Sequence, residues 1–199
     1  MRVIGLCGGS GSGKGTVAKI FERYQVQSID TDAVYHKITS GKSDCLDELE
    51  GFFGRDIIGE DGGLDRRALG KIVFAEDGEK KRSVLNRIAH KHVLIEVRKM
   101  LDLLRSQGHR WAIVDAPMLF ESGFNAECDS IVCVIADRNV RISRITERDG
   151  ISPEAASARI ASQLSDERLA QLCDYKIVNN GDLAELEASV ADLAEKILN

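Results

Sequence analysis

A glycine-rich segment near the start of the chain constrains the fold more than any other feature. It lies between a short apolar run and a helical pattern, and we call residues 8–16 the glycine loop. Glycines let the backbone turn tightly, so that successive N–H groups can point at one anion, and the first turn of a following helix adds partial positive charge. Gly8, Gly13 and Lys14 match the GxxxxGK part of the phosphate-binding loop signature. The pattern therefore predicts a strand–loop–helix unit that binds nucleotide phosphates. The loop reads Gly8-Gly9-Ser10-Gly11-Ser12-Gly13-Lys14-Gly15-Thr16.

The loop departs from that signature at one position. The signature has Ser or Thr directly after the lysine, where the hydroxyl binds Mg²⁺, but this chain has Gly15 there and Thr16 one position later. We therefore expect Mg²⁺ as a cofactor, held by Thr16 or by an aspartate, directly or through water. Two other interpretations are a glycine turn without a ligand and a dinucleotide-binding loop. The second is disfavoured because no literal GxGxxG occurs and because Lys14 stands where that loop needs close backbone packing.

Short runs rich in Val and Ile alternate with helical patterns. Apolar runs without polar alternation are typical of parallel strands covered on both faces, so the alternation predicts a doubly wound α/β sheet. About 32–107 is expected to be a helical insertion that binds the acceptor, and about 138–172 a helical lid, which leaves the core at about 1–31, 108–137 and 173–199. The predicted strands are Val3–Cys7, Val26–Asp30, Trp111–Asp115, Ile131–Ala136 and Lys176–Val178, and the predicted helices include about Lys14–Tyr24, Glu79–Arg105, Asn139–Arg148 and Leu183–Leu198.

Acidic residues follow two of the predicted strands. Asp30 and Asp32 end the second strand, and Asp115 ends the third after an apolar run. Ligands bind at the carboxyl ends of parallel strands, and an acid after such a run is typical of a group that orients Mg²⁺ or its waters. A single aspartate at a strand end is more often a helix cap or a turn residue. Because two strand ends deliver acids toward one glycine loop, we favour the functional interpretation, with Asp115 as a metal candidate.

Four arginines lie three, three and four positions apart along one predicted helix, and so occupy about a third of its circumference. Such a stripe is either a solvated basic face or a lid whose guanidinium groups bind phosphates during transfer. The spacing does not choose between the two, nor between the four residues. They are Arg138, Arg141, Arg144 and Arg148.

Composition narrows the class of protein. The 199 residues are 43% hydrophobic and 30% charged, as in an ordinary globular domain, and the net charge of −5 argues against a general binder of nucleic acid or of anionic membranes. The longest apolar run, Ile131–Ala136, is far below the roughly 20 residues that span a bilayer. We expect no signal peptide, a cytoplasmic protein, and five cysteines that remain core thiols rather than disulfides or zinc ligands. The oligomeric state stays open.

Further motifs are spread over nearly the whole chain, and with them the chain resembles the dephospho-CoA kinase family. That family's loop reads GGxGSGKST followed by Val-Ala, and its Leu-Asn-x-Ile-x-His-Pro motif corresponds to the segment that ends at His90, with Lys91 in place of the proline. Gln163 and Arg168 match later helices. The remaining matching segments are Ile29-Asp30-Thr31-Asp32, Gly63-Leu64-Asp65-Arg66, Pro117-Met118-Leu119-Phe120-Glu121 and Asn179-Asn180-Gly181.

The resemblance implies an ATP-dependent kinase that phosphorylates the ribose 3′-hydroxyl of dephospho-CoA, in the last step of coenzyme A synthesis. It implies Asp32 as general base or hydroxyl-orienting group, and Lys14 and Arg144 as groups that stabilise charge on the transferring phosphoryl. Expected ATP-binding residues are Gly9, Gly11, Ser12, Gly13, Lys14, Gly15, Thr16, Arg148 and Asn180. Expected acceptor-binding residues are Asp32, Arg66, His90, Pro117 and Phe120.

The expected fold is accordingly the three-layer α/β fold of P-loop nucleoside triphosphatases, with a five-stranded parallel sheet, a helical insertion and a lid. One alternative is another P-loop kinase with a different acceptor. A nucleotide-binding switch without enzymatic activity is a second alternative, disfavoured because a guanine-reading Asn-Lys-x-Asp motif is missing. A dinucleotide-binding oxidoreductase is disfavoured by Lys14.

Overall fold

A computed structural model describes residues 1–76 and 78–198. The strands are β1 (Arg2–Cys7), β2 (Gln27–Asp30), β3 (Trp111–Asp115), β4 (Ser130–Ile135) and β5 (Tyr175–Val178). The helices are α1 (Lys14–Glu22), α2 (Thr31–Ile38), α3 (Asp44–Phe53), α4 (Arg66–Val73), α5 (Glu79–Ser106), α6 (Arg138–Asp149), α7 (Pro153–Ala161), α8 (Asp166–Leu172) and α9 (Leu183–Leu198).

The five strands form one sheet in the order β2-β3-β1-β4-β5. β1 runs parallel to β3 and β4, and β4 runs parallel to β5. The register places Leu6 opposite both Asp115 and Val132, so the end of β1 that leads into the glycine loop lies beside the end of β3. The predicted five-stranded parallel sheet is confirmed, and its strand ends differ from the predicted ones by at most one residue.

The chain divides into two compact units: unit 1 comprises Met1–Ile29 and Leu103–Asn199, and unit 2 comprises Asp30–Asp102. The core of unit 1 lies where apolar side chains of the sheet pack against those of α1 and α9, including the fully buried Ile4, Phe21 and Val190. Unit 2 has a core of its own, formed by Cys45, Leu49, Ile57, Leu69, Val73 and Ile88. The finer division into core, insertion and lid stays a prediction.

Local sequence explains where several helices begin. The hydroxyl of Ser152 accepts a hydrogen bond from the Ala155 amide, and Pro153 is the first residue of α7, where a missing N–H costs nothing. The hydroxyl of Ser165 accepts from the Arg168 amide in the same way at the start of α8. These caps position the two short helices that follow the arginine stripe.

All five cysteines are free thiols, and two of them, Cys128 and Cys173, are only partly buried rather than in the core. Cys7, Cys45 and Cys133 are buried, and burial raises the pKa of Cys45 to about 11, which keeps that thiol protonated at neutral pH. Over the described ranges 1–76 and 78–198, no helix is long and apolar enough to cross a membrane.

Candidate active site

The glycine loop forms a tight turn between β1 and α1. The Ser12 amide donates to the Gly9 carbonyl over 3.1 Å, and the Thr16 amide donates to the Gly13 carbonyl over 3.0 Å. Gly11 has φ 78° and Gly13 has φ 92°, a backbone region that side chains disfavour. Among the described residues no acceptor stands opposite the N–H groups of Gly11, Gly13 and Lys14. The turn therefore leaves amide donors together at the N-terminus of α1, as a phosphate-binding loop requires.

Lys14, the first residue of α1, forms an ion pair with Asp115 at the end of β3. Both side chains are largely buried, with exposed fractions of 15% for Lys14 and 8% for Asp115. The two residues meet because β1 and β3 are neighbours in the sheet and both end at the same edge. The predicted phosphate-binding cation and the predicted metal candidate thus lie in direct contact.

Arg144 of α6 bonds to the glycine loop and to the end of β5. One guanidinium nitrogen, Nη1, donates to the Asn179 carbonyl over 3.0 Å and to the Gly11 carbonyl over 3.4 Å. Asn179 is buried, and its side-chain amide donates to the Ser12 carbonyl over 2.7 Å. A side chain at Gly13 would collide with this amide, which explains glycine there. Arg144 therefore contacts the loop through carbonyl oxygens, and its expected role at the transferring phosphoryl stays a prediction.

The arginine stripe is not uniformly solvated. Arg141 is 3% exposed and is bound to the carbonyl of Ser10 and to the carboxylate of Asp166. The interpretation of the stripe as a solvated basic face is therefore wrong for Arg141. Its burial depends on an acid on α8, 25 positions away, which the spacing of the arginines could not show.

The two outer arginines of the stripe make contacts outside the loop. Arg138 donates to the Ser157 hydroxyl over 2.6 Å, and Arg148 forms two hydrogen bonds to Asp149, at 2.7 and 2.9 Å. The hydrogen bonds from Arg148 and Arg159 lower the pKa of the Asp149 carboxyl to about 2. The Arg138 contact joins α6 to α7, and the Arg148 contact stays within the last turn of α6.

Sequence reasoning did not assign a contact with the loop to three residues that make one, and the expected place of Asn180 in the ATP site stays a prediction. Gln163, between α7 and α8, accepts a hydrogen bond from the Ser10 amide over 2.9 Å, and Arg141 donates to the Ser10 carbonyl. Asn179 is the buried asparagine that contacts the loop, whereas the predicted Asn180 is exposed and accepts from the Asp137 amide over 2.7 Å. Gln163 carried a signal in its family match, but nothing local marked its contact with Ser10.

Unit 2 contains a cavity of about 670 Å³, which we call the Asp32 cavity. Asp32 lies in the first turn of α2, where Asp30 caps the helix by accepting from the Asp32 and Ala33 amides. The cap is the structural role that a strand-end aspartate commonly has. The lining residues are Asp30, Asp32, Ala33, Tyr35, His36, Lys37 and Arg66.

Arg66, the first residue of α4, is oriented by Tyr35 of α2 and by Thr39, which follows the last residue of α2. Its guanidinium carbon lies 5.6 Å from the centre of the Tyr35 ring, and its Nη2 donates to the buried Thr39 hydroxyl over 3.3 Å. Burial raises the pKa of Tyr35, so its hydroxyl stays protonated at neutral pH. Two predicted acceptor-binding residues, Asp32 and Arg66, therefore line one cavity.

Three predicted acceptor-binding residues, His90, Pro117 and Phe120, do not line the Asp32 cavity. His90 is half-buried on α5 and is not among the described residues that line the Asp32 cavity. Pro117 and Phe120 belong to unit 1, in the turn after β3, where the Gly123 amide donates to the Phe120 carbonyl over 3.1 Å. The roles expected for these three residues stay predictions.

The residues present fit a magnesium ion only in part. Within residues 1–76 and 78–198 no three His, Cys, Asp or Glu side chains are grouped to hold a metal. Mg²⁺ is commonly bound by one or two protein oxygens, several waters and the substrate phosphates, and such a site needs no dedicated cluster. The Asp115 carboxylate at the loop suits that donor set, and Thr16 is exposed in the first turn of α1.

Comparison with protein families distinguishes between the P-loop kinases that use different acceptors. The model of the family described as dephospho-CoA kinase matches residues 2–185. The chain belongs to the dephospho-CoA kinase family. The predicted family is thereby confirmed, and with it the class of enzyme, a kinase that uses ATP.

Individual relatives agree with the family match. A dephospho-CoA kinase of Anaeromyxobacter dehalogenans is 38% identical over 96% of this chain and 90% of its own length. A solved structure from Thermus thermophilus has a TM-score of 0.82 at 27% identity, covering 98% of this chain and 97% of its own. A dephospho-CoA kinase structure from Campylobacter jejuni, at 23% identity and TM-score 0.71, covers 99% of this chain and 98% of its own and supports the fold. The predicted fold class is confirmed.

Proposed function

We propose that this chain transfers the γ-phosphoryl group of ATP to the ribose 3′-hydroxyl of dephospho-CoA, and that the glycine loop and Lys14 bind the ATP phosphates. The observation that carries the nucleotide half is the turn itself, whose free amide donors stand beside Lys14 at the start of α1. The family match carries the identity of the acceptor. Phosphoryl transfer demands little covalent chemistry of a protein, so catalysis rests on positioning and charge stabilisation.

Lys14 and Arg144 supply positive charge on the nucleotide side. Lys14 is bound to Asp115 in the structure, and incoming phosphates offer its ammonium group a second set of oxygens. Arg144 is held by two carbonyl oxygens beside the loop, which leaves the charge of its guanidinium uncompensated by those neutral partners. We assign Arg148 and Asn180 to the outer part of the ATP site on the family resemblance.

Asp32 and Arg66 supply the acceptor half of the proposal. A carboxylate can accept the proton of the attacking hydroxyl or fix its direction, and we assign Asp32 this role. Arg66 presents a guanidinium group suited to the phosphates of the acceptor, oriented by Tyr35 and Thr39. We assign His90, Pro117 and Phe120 to the remaining acceptor contacts on the family resemblance.

Mg²⁺ is part of the proposal, with Asp115 and Thr16 as its protein contacts, directly or through water. When bound, the ion neutralises charge on the phosphate oxygens. Gly15 offers no side chain at the position where the signature has the hydroxyl ligand, so one protein contact fewer is expected there. We further propose cytoplasmic action, on the family's place in coenzyme A synthesis. The net charge of −5 supports the proposal that the protein does not bind nucleic acid.

An acceptor panel tests the proposed activity. The purified protein is incubated with Mg-ATP and, separately, dephospho-CoA, shikimate, gluconate and adenosine, and ADP release and the phosphorylated product are measured by chromatography and mass spectrometry. We expect ADP release that depends on dephospho-CoA and a product phosphorylated at the ribose 3′ position. ADP release with a different acceptor, and none with dephospho-CoA, would contradict the proposal.

A further inference from the structure

All three polar atoms of Ser10 that can bond are taken up by two side chains. The Ser10 amide donates to Gln163 Oε1 over 2.9 Å, and Gln163 Nε2 donates to the Ser10 hydroxyl over 3.2 Å. The Ser10 carbonyl accepts from Arg141 Nε over 2.9 Å. Ser10 is the third residue of the glycine loop, so this clamp acts on the part of the loop that precedes the amides left for phosphate.

Arg141 and Gln163 also bond to each other. Arg141 Nη2 donates to Gln163 Oε1 over 3.2 Å, so that oxygen accepts from the loop and from the arginine at once. Arg141 Nη1 donates to Asp166 over 2.8 Å, which balances the charge of a guanidinium that is 3% exposed. The positive charge of Arg141 is therefore neutralised by the Asp166 carboxylate, and we do not assign Arg141 a contact with a ligand.

The packing against the loop is close. A side chain at Gly9 would overlap the Arg141 guanidinium, and a side chain at Gly11 would lie 2.7 Å from the Arg141 carbonyl oxygen. The two partners of Ser10 are distant in the chain. Arg141 of α6 lies 131 positions from Ser10, and Gln163, between α7 and α8, lies 153 positions from it. A segment rich in glycine has many conformations open to it, and only contacts of this kind reduce them.

We propose that Arg141 and Gln163 are positioning residues that hold the glycine loop in the conformation that binds the ATP phosphates. The inference rests on the use of ATP by this family. Neither side chain touches the phosphates in this proposal: they fix Ser10, and through it the adjacent Gly11 amide, before the nucleotide arrives. A loop that is ordered in advance spends less of the binding energy on its own ordering.

Gln163→Met tests the clamp, because methionine keeps the length and bulk of the side chain but removes its hydrogen bonds. Gln171→Met on α8 is the matched control, since Gln171 is an exposed glutamine that bonds to Arg168 and not to the loop. We expect the Kd for ATP, measured by titration calorimetry, to rise about tenfold in Gln163→Met, as loss of such hydrogen bonds implies. The KM for dephospho-CoA should stay unchanged in both variants.

Hydrogen exchange of the Ser10 amide, followed by NMR without nucleotide, provides a readout independent of activity. We expect faster exchange in Gln163→Met than in the wild type, and slow exchange restored in Gln163→Glu, which keeps an accepting oxygen. If Gln163→Met unfolds, Gln163→Asn serves instead, because its amide is one methylene short of Ser10.

Two results would overturn the inference: equal ATP affinity in Gln163→Met and the control, or equal rises in KM for both substrates together with unchanged exchange at Ser10. Wild-type protein that does not bind ATP would instead contradict the proposed function, so the two failures are distinguishable.

Discussion

The glycine loop of unit 1 and the Asp32 cavity of unit 2 are built in opposite ways. Around the loop, charged and amide side chains are buried and bonded to main-chain atoms: Arg141 and Asn179 are 3% and 5% exposed. Around the cavity, Asp32, His36 and Arg66 are all exposed and line an open volume of about 670 Å³. The polar side chains at the loop are thus buried, whereas those at the cavity face solvent.

The difference fits the two tasks of a phosphoryl-transfer enzyme. Stabilising charge that develops on a transferring group requires donors that are already in place, because reorienting them during the reaction costs energy. An acceptor, in contrast, has to enter and leave, which favours exposed side chains around an open cavity. We infer that the loop binds and stabilises the transferring phosphoryl group while the cavity binds and orients the acceptor, and the following variants test that division.

Asp32→Asn should have the largest effect. It removes the group that we assign to the acceptor hydroxyl, so kcat should fall by about 10²–10⁴, the range for loss of general acid–base catalysis, while the Kd for ATP stays the same. Steady-state kinetics and ATP titration measure both quantities. Asp47→Asn is the control, since Asp47 is an exposed acid in the first turn of α3. Near-normal turnover of Asp32→Asn would remove the residue from its assigned role.

Lys14→Met should have the next largest effect. We expect kcat to fall by about 10²–10³, as for the loss of one charge-stabilising donor. Stability should also fall, by about 3 kcal/mol, because the Asp115 carboxylate, 8% exposed, loses the ammonium group beside it. Kinetics and urea unfolding measure the two losses.

The double variant Lys14→Met/Asp115→Asn separates these contributions, because it should recover stability and leave the rate low. Lys19→Met, on the exposed face of α1, is the control and should change neither. A double variant that regains the rate would show that Lys14 acts only through its ion pair.

Arg66→Lys should have the smallest of these effects and should be confined to the acceptor. Lysine keeps the charge but loses the planar group that stacks on Tyr35 and bonds to Thr39, so the KM for dephospho-CoA should rise about tenfold. The KM for ATP should stay constant. Arg67→Lys, the exposed neighbour on α4, should match the wild type. Equal rises in both KM values would break the division between loop and cavity.

The parts that could be predicted are those set by neighbours in the chain. The glycine loop, β1 and α1 are contiguous, and the alternation of apolar runs with helical patterns identified all five strands. Lys14 and Asp115 could be placed at one edge because parallel strands end together there. Unit 2 was predicted only as several helices, because helices of eight to ten residues such as α2, α3 and α4 offer few turns over which a periodicity can be recognised.

The parts that could not be predicted depend on contacts between distant segments. Four arginines with helical spacing look alike, and only Asp166 and Gln163 single out Arg141 for burial. Asn179 and Asn180 are adjacent and chemically identical, yet the alternation of side chains at the end of β5 turns one toward the loop and leaves the other exposed. Contacts between residues more than 20 positions apart in the chain leave no signal in the local sequence.

Gly15 is a glycine that the surrounding packing does not demand. A Cβ atom there would meet nothing within 4 Å, and its backbone lies outside the left-handed region. Glycine in place of alanine at a helical position costs up to about 1 kcal/mol. The chain is thus one side chain away from the serine or threonine form of the signature, with room for either hydroxyl, and steric exclusion does not account for the residue that stands there.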